Sequence, residues 1–130
     1  MTGTASRIAV RTAEPDWVIE AEAVRIGDDV LVWIFGGEKP HIGAVAAAQP
    51  RPSLADPKRT SATASVFAYV GHKEDDLAKH AAETLAAALG TRVVVTAGIH
   101  WDNLSPDGVR TIGARCEEIV ARLKQALTVG

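Results

Sequence analysis

Three of the four histidines stand at bends, each within two residues of a glycine. The first lies in Gly36-Gly37-Glu38-Lys39-Pro40-His41-Ile42-Gly43, the second in Gly71-His72-Lys73-Glu74, the third in Gly98-Ile99-His100-Trp101-Asp102-Asn103. Glycine lets a backbone approach a ligand closely, and proline stiffens the way out of a loop. Imidazole donates, accepts or ligates near neutral pH, and Lys39 and Lys73 add positive charge. If the three bends meet at one rim of the fold, they make one site.

Three kinds of chemistry fit these residues. His41, His72 and His100 with Asp102 are the donor set of a zinc or iron centre, but the sequence holds no closely spaced pair such as HxH or HExxH. An anion site is the second. Gly71-His72-Lys73-Glu74 stands where a strand hands over to a helix, whose first N–H groups and dipole attract negative charge. Lys39, Lys73 and Arg59 supply charge, Ser61 and Thr63 supply hydroxyls, and Trp101 or Trp33 offers a ring to a flat heterocycle. The bend is neither a Walker loop nor GxGxxG. Catalysis is the third, with Asp102 orienting His100 as a general base. No nucleophile accompanies them: Cys116 falls on an apolar helix stripe and Ser105 reads as a helix cap. His80 lies inside a helix and reads as a half-buried surface histidine.

The elements that position these residues follow from periodicity. Arg7 to Thr12 and Trp17 to Ile26 alternate with period two, as strands do. Gly27-Asp28-Asp29 is a turn into Val30 to Phe35, which is apolar throughout and is expected to be central and covered on both faces. Ala44 to Ala48 makes a fourth strand, stopped by Pro50 and Pro52. The stretch 50–60 reads as a loop, and Ser61 to Val70 as a fifth strand with Ser61, Thr63 and Ser65 on one face. From Glu74 the period changes to 3.6, with Leu77, Ala81, Leu85, Ala88 and Leu89 as the stripe and Gly90 as the C-cap. Arg92 to Ala97 is a sixth, central strand. Ser105 caps a second helix with Pro106 at its first position, buried along Val109, Ile112, Cys116, Ile119, Val120, Leu123 and Leu127. The expected fold is α+β: a single, mostly antiparallel sheet of about six strands with two helices packed on one face.

At 130 residues the chain makes one domain, residues 1–130, with residues 1–6 frayed. A net charge of −2 gives no footprint for nucleic acid. One cysteine excludes an internal disulfide and a cysteine-based zinc cluster. No apolar run approaches the roughly 20 residues that span a bilayer, and the first residues lack a signal-peptide pattern. The expectation is a cytoplasmic protein without membrane or nucleic-acid partners.

Five phrases occur together: Lys39-Pro40-His41-Ile42-Gly43-Ala44-Val45, Pro52-Ser53-Leu54-Ala55-Asp56-Pro57, Ser61-Ala62-Thr63-Ala64-Ser65, Gly71-His72-Lys73-Glu74-Asp75 and Gly98 to Asn103. In this order they resemble the LpdD-like family, the small D subunit associated with gallate decarboxylase. The resemblance covers about Asp29 to the C-terminus. It implies a non-catalytic chaperone of prenylated flavin mononucleotide (prenylated FMN, or FMN itself) serving a UbiD-type decarboxylase. It also implies a fold similar to the proteasome-assembly chaperones and pairing as a homodimer. Carried onto this sequence, the implied cofactor-binding site uses Gly36, Gly37, Lys39, Pro40, His41, Ser61, Thr63, His72, Lys73, His100 and Asp102. Two alternatives remain open: a protein-only assembly chaperone without ligand, and a metal-dependent enzyme using His41, His72 and His100.

Overall fold

The structure, a computed structural model, describes residues 7–69 and 74–129. These form β1 (Arg7–Arg11), β2 (Ile19–Ile26), β3 (Asp29–Gly37), β4 (Ala44–Pro52), β5 (Thr60–Ala68), α1 (Asp75–Leu89), β6 (Val93–His100) and α2 (Pro106–Val129). The strands make one sheet in the order β1-β2-β3-β6-β4-β5. Every pairing is antiparallel except β3 with β6. The expected α+β layout is therefore found, with β6 central as expected.

One face of the sheet carries the core. Ile19, Ala21 and Ala23 of β2, Val30, Val32 and Ile34 of β3, Val93, Val95 and Ala97 of β6, and Ala44, Ala46 and Ala48 of β4 are all buried there. α1 packs over β4, β5 and β6, and α2 packs against β1 and β2. Alanines on β4 meet alanines on α1 (Ala78, Ala81, Ala82 and Ala86 are buried), so helix and strand approach closely. Leu85, Ile119 and Leu123 fill the wider spaces, each fully buried and each stabilising by about 1.5–3 kcal/mol.

Four expectations change. β4 is not stopped by its prolines but runs on to Pro52, with Pro50 opposite Ala62 and Pro52 opposite Thr60 of β5, so the loop between them is shorter than 50–60. β3 is covered on one face only: Val30, Val32 and Ile34 are buried, while Leu31, Trp33 and Phe35 are half-buried on the helix-free face. Trp33 lies outside the helix-side core, beneath the Arg7 guanidinium at 5.7 Å from its ring centre. The buried stripe of α1 is rotated by about one residue, leaving Ala88 exposed, because the alanines sit closest to the sheet. On α2, Val109 is 56% exposed rather than buried, since it stands beside a cleft. Both helix ends match expectation. Gly90 takes the left-handed conformation at φ 65° and its N–H reaches the Ala86 carbonyl. The Ser105 hydroxyl accepts the Gly108 N–H at 3.0 Å.

Candidate functional site

Strand direction brings one set of ends together. β3 and β6 run parallel, so Gly37 and His100 finish side by side in register. β4 runs against β6, so Ala44 begins at the same rim, and β5 returns to finish there, with Ala68 opposite Ala44. The chain enters α1 from this rim.

The β3–β4 loop is pressed onto the end of β6. The Glu38 N–H donates to the His100 carbonyl at 2.8 Å, and the Gly43 N–H to the Ala97 carbonyl at 2.9 Å. Between these ties the loop lies against Gly98, where a Cβ would stand 1.6 Å from the His41 carbonyl oxygen. Gly37, at φ 87°, would place a Cβ 2.1 Å from the His100 carbonyl oxygen. Gly36 would meet the Val18 carbonyl oxygen at 2.7 Å. The loop glycines thus serve backbone-on-backbone packing.

Two histidine–carboxylate pairs result. The His41 ring donates from Nδ1 to the Lys39 carbonyl at 2.8 Å and faces Glu74 Oε1 from Nε2, also at 2.8 Å. Both side chains are largely buried, so this pair pins the loop to the start of α1. The second pair is exposed: His100 Nε2 donates to Asp102 Oδ1 at 2.8 Å, and Lys39 Nζ lies 3.8 Å from Asp102 Oδ2. The His100 hydrogen bond, with the Lys39 charge behind it, holds the Asp102 carboxyl below its usual range. Glu38 accepts the Asp102 N–H at 3.3 Å. Pro40 is exposed at the crest of the loop.

Beside this rim opens a cleft of about 840 Å³ between α1 and α2, to which His100 and Glu74 belong. Its walls are Leu77, Ile99, Trp101, Leu104, Val109, Ile112 and Cys116, with Asp76, His80 and Glu117 at its margin. Trp101 packs edge-to-face on Trp17 at 5.5 Å between ring centres. Trp17 itself sits at φ 54°, a costly conformation for a bulky residue. Its loop is tied down by Thr12, whose hydroxyl accepts the Ile19 N–H, and by the Ala13 N–H donating to Glu118. Burial pushes the Cys116 thiol up to about 11, with Glu117 adding to the effect.

The residues singled out from sequence therefore divide. Gly36, Gly37, Lys39, Pro40, His41, His100 and Asp102 come together at the rim. His72 and Lys73, with Gly71, lie outside the described residues. Ser61 and Thr63 are not brought there. They share the helix-free face as expected, but they begin β5, and β5 reaches the rim only at Ala68. At about 3.3 Å per residue, Ser61 is about 23 Å from that end and Thr63 about 17 Å. Thr63 instead accepts a hydrogen bond from Arg51 at 2.6 Å. Trp17, Glu38, Glu74 and Glu117 complete the site without having stood out, and His80, read from the sequence as a surface histidine, stands at the cleft's margin. A carboxylate two residues beyond the second histidine was the available signal for Glu74. Among the described residues, no group of three or more His, Cys, Asp or Glu is placed to hold a metal ion, and no helix is long and apolar enough to cross a membrane.

The fold is similar to that of a chain in the crystal structure of a chaperone complex for yeast 20S proteasome assembly. The identity is 13%, each chain is covered over 96% of its length, and the TM-score is 0.56. At that identity the likeness speaks for the fold alone. No curated protein matches the chain in sequence. Residues 13–128 match the family described as the prenylated flavin chaperone LpdD-like domain, and the chain belongs to that family.

Proposed function

We propose that this protein is a non-catalytic cytoplasmic carrier, which holds prenylated flavin mononucleotide and passes it to a UbiD-type decarboxylase. The observation that carries this reading is the continuity between a hydrogen-bonding rim and an apolar cleft. Lys39 and Asp102 stand beside His100, and His41 beside Glu74, and both His100 and Glu74 line the cleft. A volume of about 840 Å³ lies within the usual range for small-molecule sites, about 300–1,000 Å³. Apolar walls with the half-buried Trp101 indole among them fit a fused ring bearing a hydrocarbon substituent.

Charge fixes the orientation. Glu74, Asp76 and Glu117 line the cleft, and no lysine or arginine lines it among the described residues. A phosphate is repelled from such a pocket and is drawn outward to Lys39. His72 and Lys73, which precede Glu74 in the chain, are assigned to the same phosphate. The ring then lies inward, where the walls exclude water and oxygen from a reactive cofactor. Among the described residues nothing at the rim supplies a nucleophile, and the protein's work is to hold, shield and release.

Titration with FMN and with prenylated FMN, followed by quenching of tryptophan fluorescence, tests the proposal. Tight binding of the prenylated form is expected. Lys39→Ala should weaken it about 10- to 100-fold, the worth of a charge-assisted contact of about 1.5–3 kcal/mol. A chain that emerges colourless after co-expression with a prenyl-flavin synthase, and binds neither flavin, overturns the proposal.

A further inference from the structure

The charges around the cleft are of one sign. Three carboxylates line it, those of Glu74, Asp76 and Glu117, and among the described residues no lysine or arginine does. The imidazoles that line it each face a carboxylate already: His80 Nε2 lies 3.4 Å from Glu117 Oε1, and His100 Nε2 lies 2.8 Å from Asp102 Oδ1. Asp76 has no ion pair among the described residues. The Glu74 side chain is only 10% exposed. Its Oε1 meets His41, but its Oε2 is buried without a hydrogen-bond partner among the described residues. A buried carboxylate oxygen without a donor is costly, and positive charge brought into the cleft offsets that cost.

A second feature points the same way through different physics. Trp101 stands half-buried in the wall, and indole is the side chain whose ring attracts a cation most strongly. Its edge-to-face contact with Trp17, at 5.5 Å and 71°, holds that ring in place. Leu77, Ile99 and Ile112 beside it are apolar, so the field of the carboxylates is screened less than on an open surface. Negative charge, an indole and apolar walls together are the means of recognising a flat organic cation.

We propose that the cleft selects a planar cation, and that its cargo is therefore prenylated FMN in the oxidised, positively charged form. This rests on the carrier reading above and sharpens it, because that reading leaves the oxidation state open. A flavin alkylated on a ring nitrogen, as prenylation makes it, carries a positive charge spread over the rings once it is oxidised. The reduced ring is neutral, or anionic once it loses a proton. Carboxylates attract the first form and repel the anion. The phosphate does not enter the choice, since its charge is the same in both forms and it is assigned outward to Lys39. A cationic ring is also an electrophile to which water adds, and apolar walls keep water from it.

Two three-ring dyes separate the effect of charge from those of phosphate and prenyl group. Proflavine is a cation at neutral pH, and lumiflavin is neutral. In fluorescence titrations at low salt, proflavine is expected to bind about 10-fold more tightly, the combined worth of one cation–π contact and one or two partly exposed charge contacts. Added salt should shrink that ratio. Asp76→Asn with Glu117→Gln should cut it about 5-fold; both side chains are exposed, so the circular dichroism spectrum should stay as it is. Glu74→Gln is the less secure variant, because it also disturbs the buried contact with His41. Under anaerobic conditions the oxidised form of prenylated FMN should bind about 10-fold more tightly than the reduced form, which lowers the two-electron potential of the bound cofactor by about 30 mV. Equal affinity for the two dyes, or reduced prenylated FMN bound as tightly as oxidised, overturns the inference and leaves the carrier reading standing. A preference for proflavine with no binding of prenylated FMN in either form supports the cation site but refutes the carrier reading, and with it the cargo named here.

Discussion

Replacing Gly98 by alanine is the sharpest test of how the rim is built. An alanine Cβ there would lie 1.6 Å from the His41 carbonyl oxygen and 2.3 Å from its carbon, both of them backbone atoms that cannot rotate away. The β3–β4 loop must therefore lift off β6 by about 1.5 Å to reach ordinary contact. Overpacking of this kind costs about 1–3 kcal/mol. Lifting also stretches the bond from the Gly43 N–H to the Ala97 carbonyl, worth about 1 kcal/mol. It draws His41 away from the largely buried Glu74, which costs about 1–3 kcal/mol more. The expected loss is about 3–7 kcal/mol, a large share of the roughly 5–15 kcal/mol that stabilises a domain. In urea the midpoint should fall by about 1–3 M at an unchanged slope. Gly113→Ala is the matched control. Gly113 borders the cleft, where its Cβ would meet nothing within 4 Å, so helix propensity should make it more stable by about 0.5–1 kcal/mol. If Gly98→Ala unfolds within about 0.5 kcal/mol of wild type, the loop does not rest on β6 as described.

Three further outcomes are expected. With its thiol pushed up to about 11 by burial, Cys116 should react with a disulfide reagent at pH 8 about 100-fold more slowly than an ordinary exposed thiol, and glutathione-like rates would contradict the cleft wall. The Asp102 carboxyl should titrate below its ordinary 3.8, so its pairing is fully present above that value and is lost as pH falls through the lower folded one. By NMR, His100→Ala should raise that midpoint more than Lys39→Ala does, because the hydrogen bond is the larger cause, and the reverse order would refute the assignment. Ser105→Ala removes the cap on the Gly108 N–H and should destabilise by about 0.5–2 kcal/mol in thermal unfolding, whereas no change would mean that water replaces the cap.

What could be read from the chain alone was mostly local. The hairpin after Ile26 announces itself in Gly27-Asp28, and Ser105-Pro106 announces α2. Both are signals carried by neighbouring residues. The insertion of β6 between β3 and β4 is not local, because it depends on which apolar strands cover one another once α1 is in place. The misplacement of Ser61 and Thr63 has a simpler cause. A strand that must end at the rim cannot also begin there, and the row of hydroxyls drew attention from that constraint. Trp17 has no spacing that sets it apart, and the one signal for Glu74, its place two residues after His72, does not say which histidine it meets. Glu74 matters through one contact across the fold, and Trp17 through an unfavourable φ that only the packed loop enforces. The two-sided burial expected for β3 failed at Leu31, Trp33 and Phe35, where an apolar run faces no helix.

The place of β6 has a consequence for how the molecule comes into being. β3 and β4 follow one another in sequence, yet they never touch as strands; the gap between them is filled by residues made some fifty positions later. A growing polypeptide can close the β2–β3 hairpin early, but it must wait for that late segment before the sheet becomes continuous. Such long-range closure is slow to fold. The rim cannot exist in a half-made chain, so any molecule it grips is held only by a protein whose synthesis has run past residue 100.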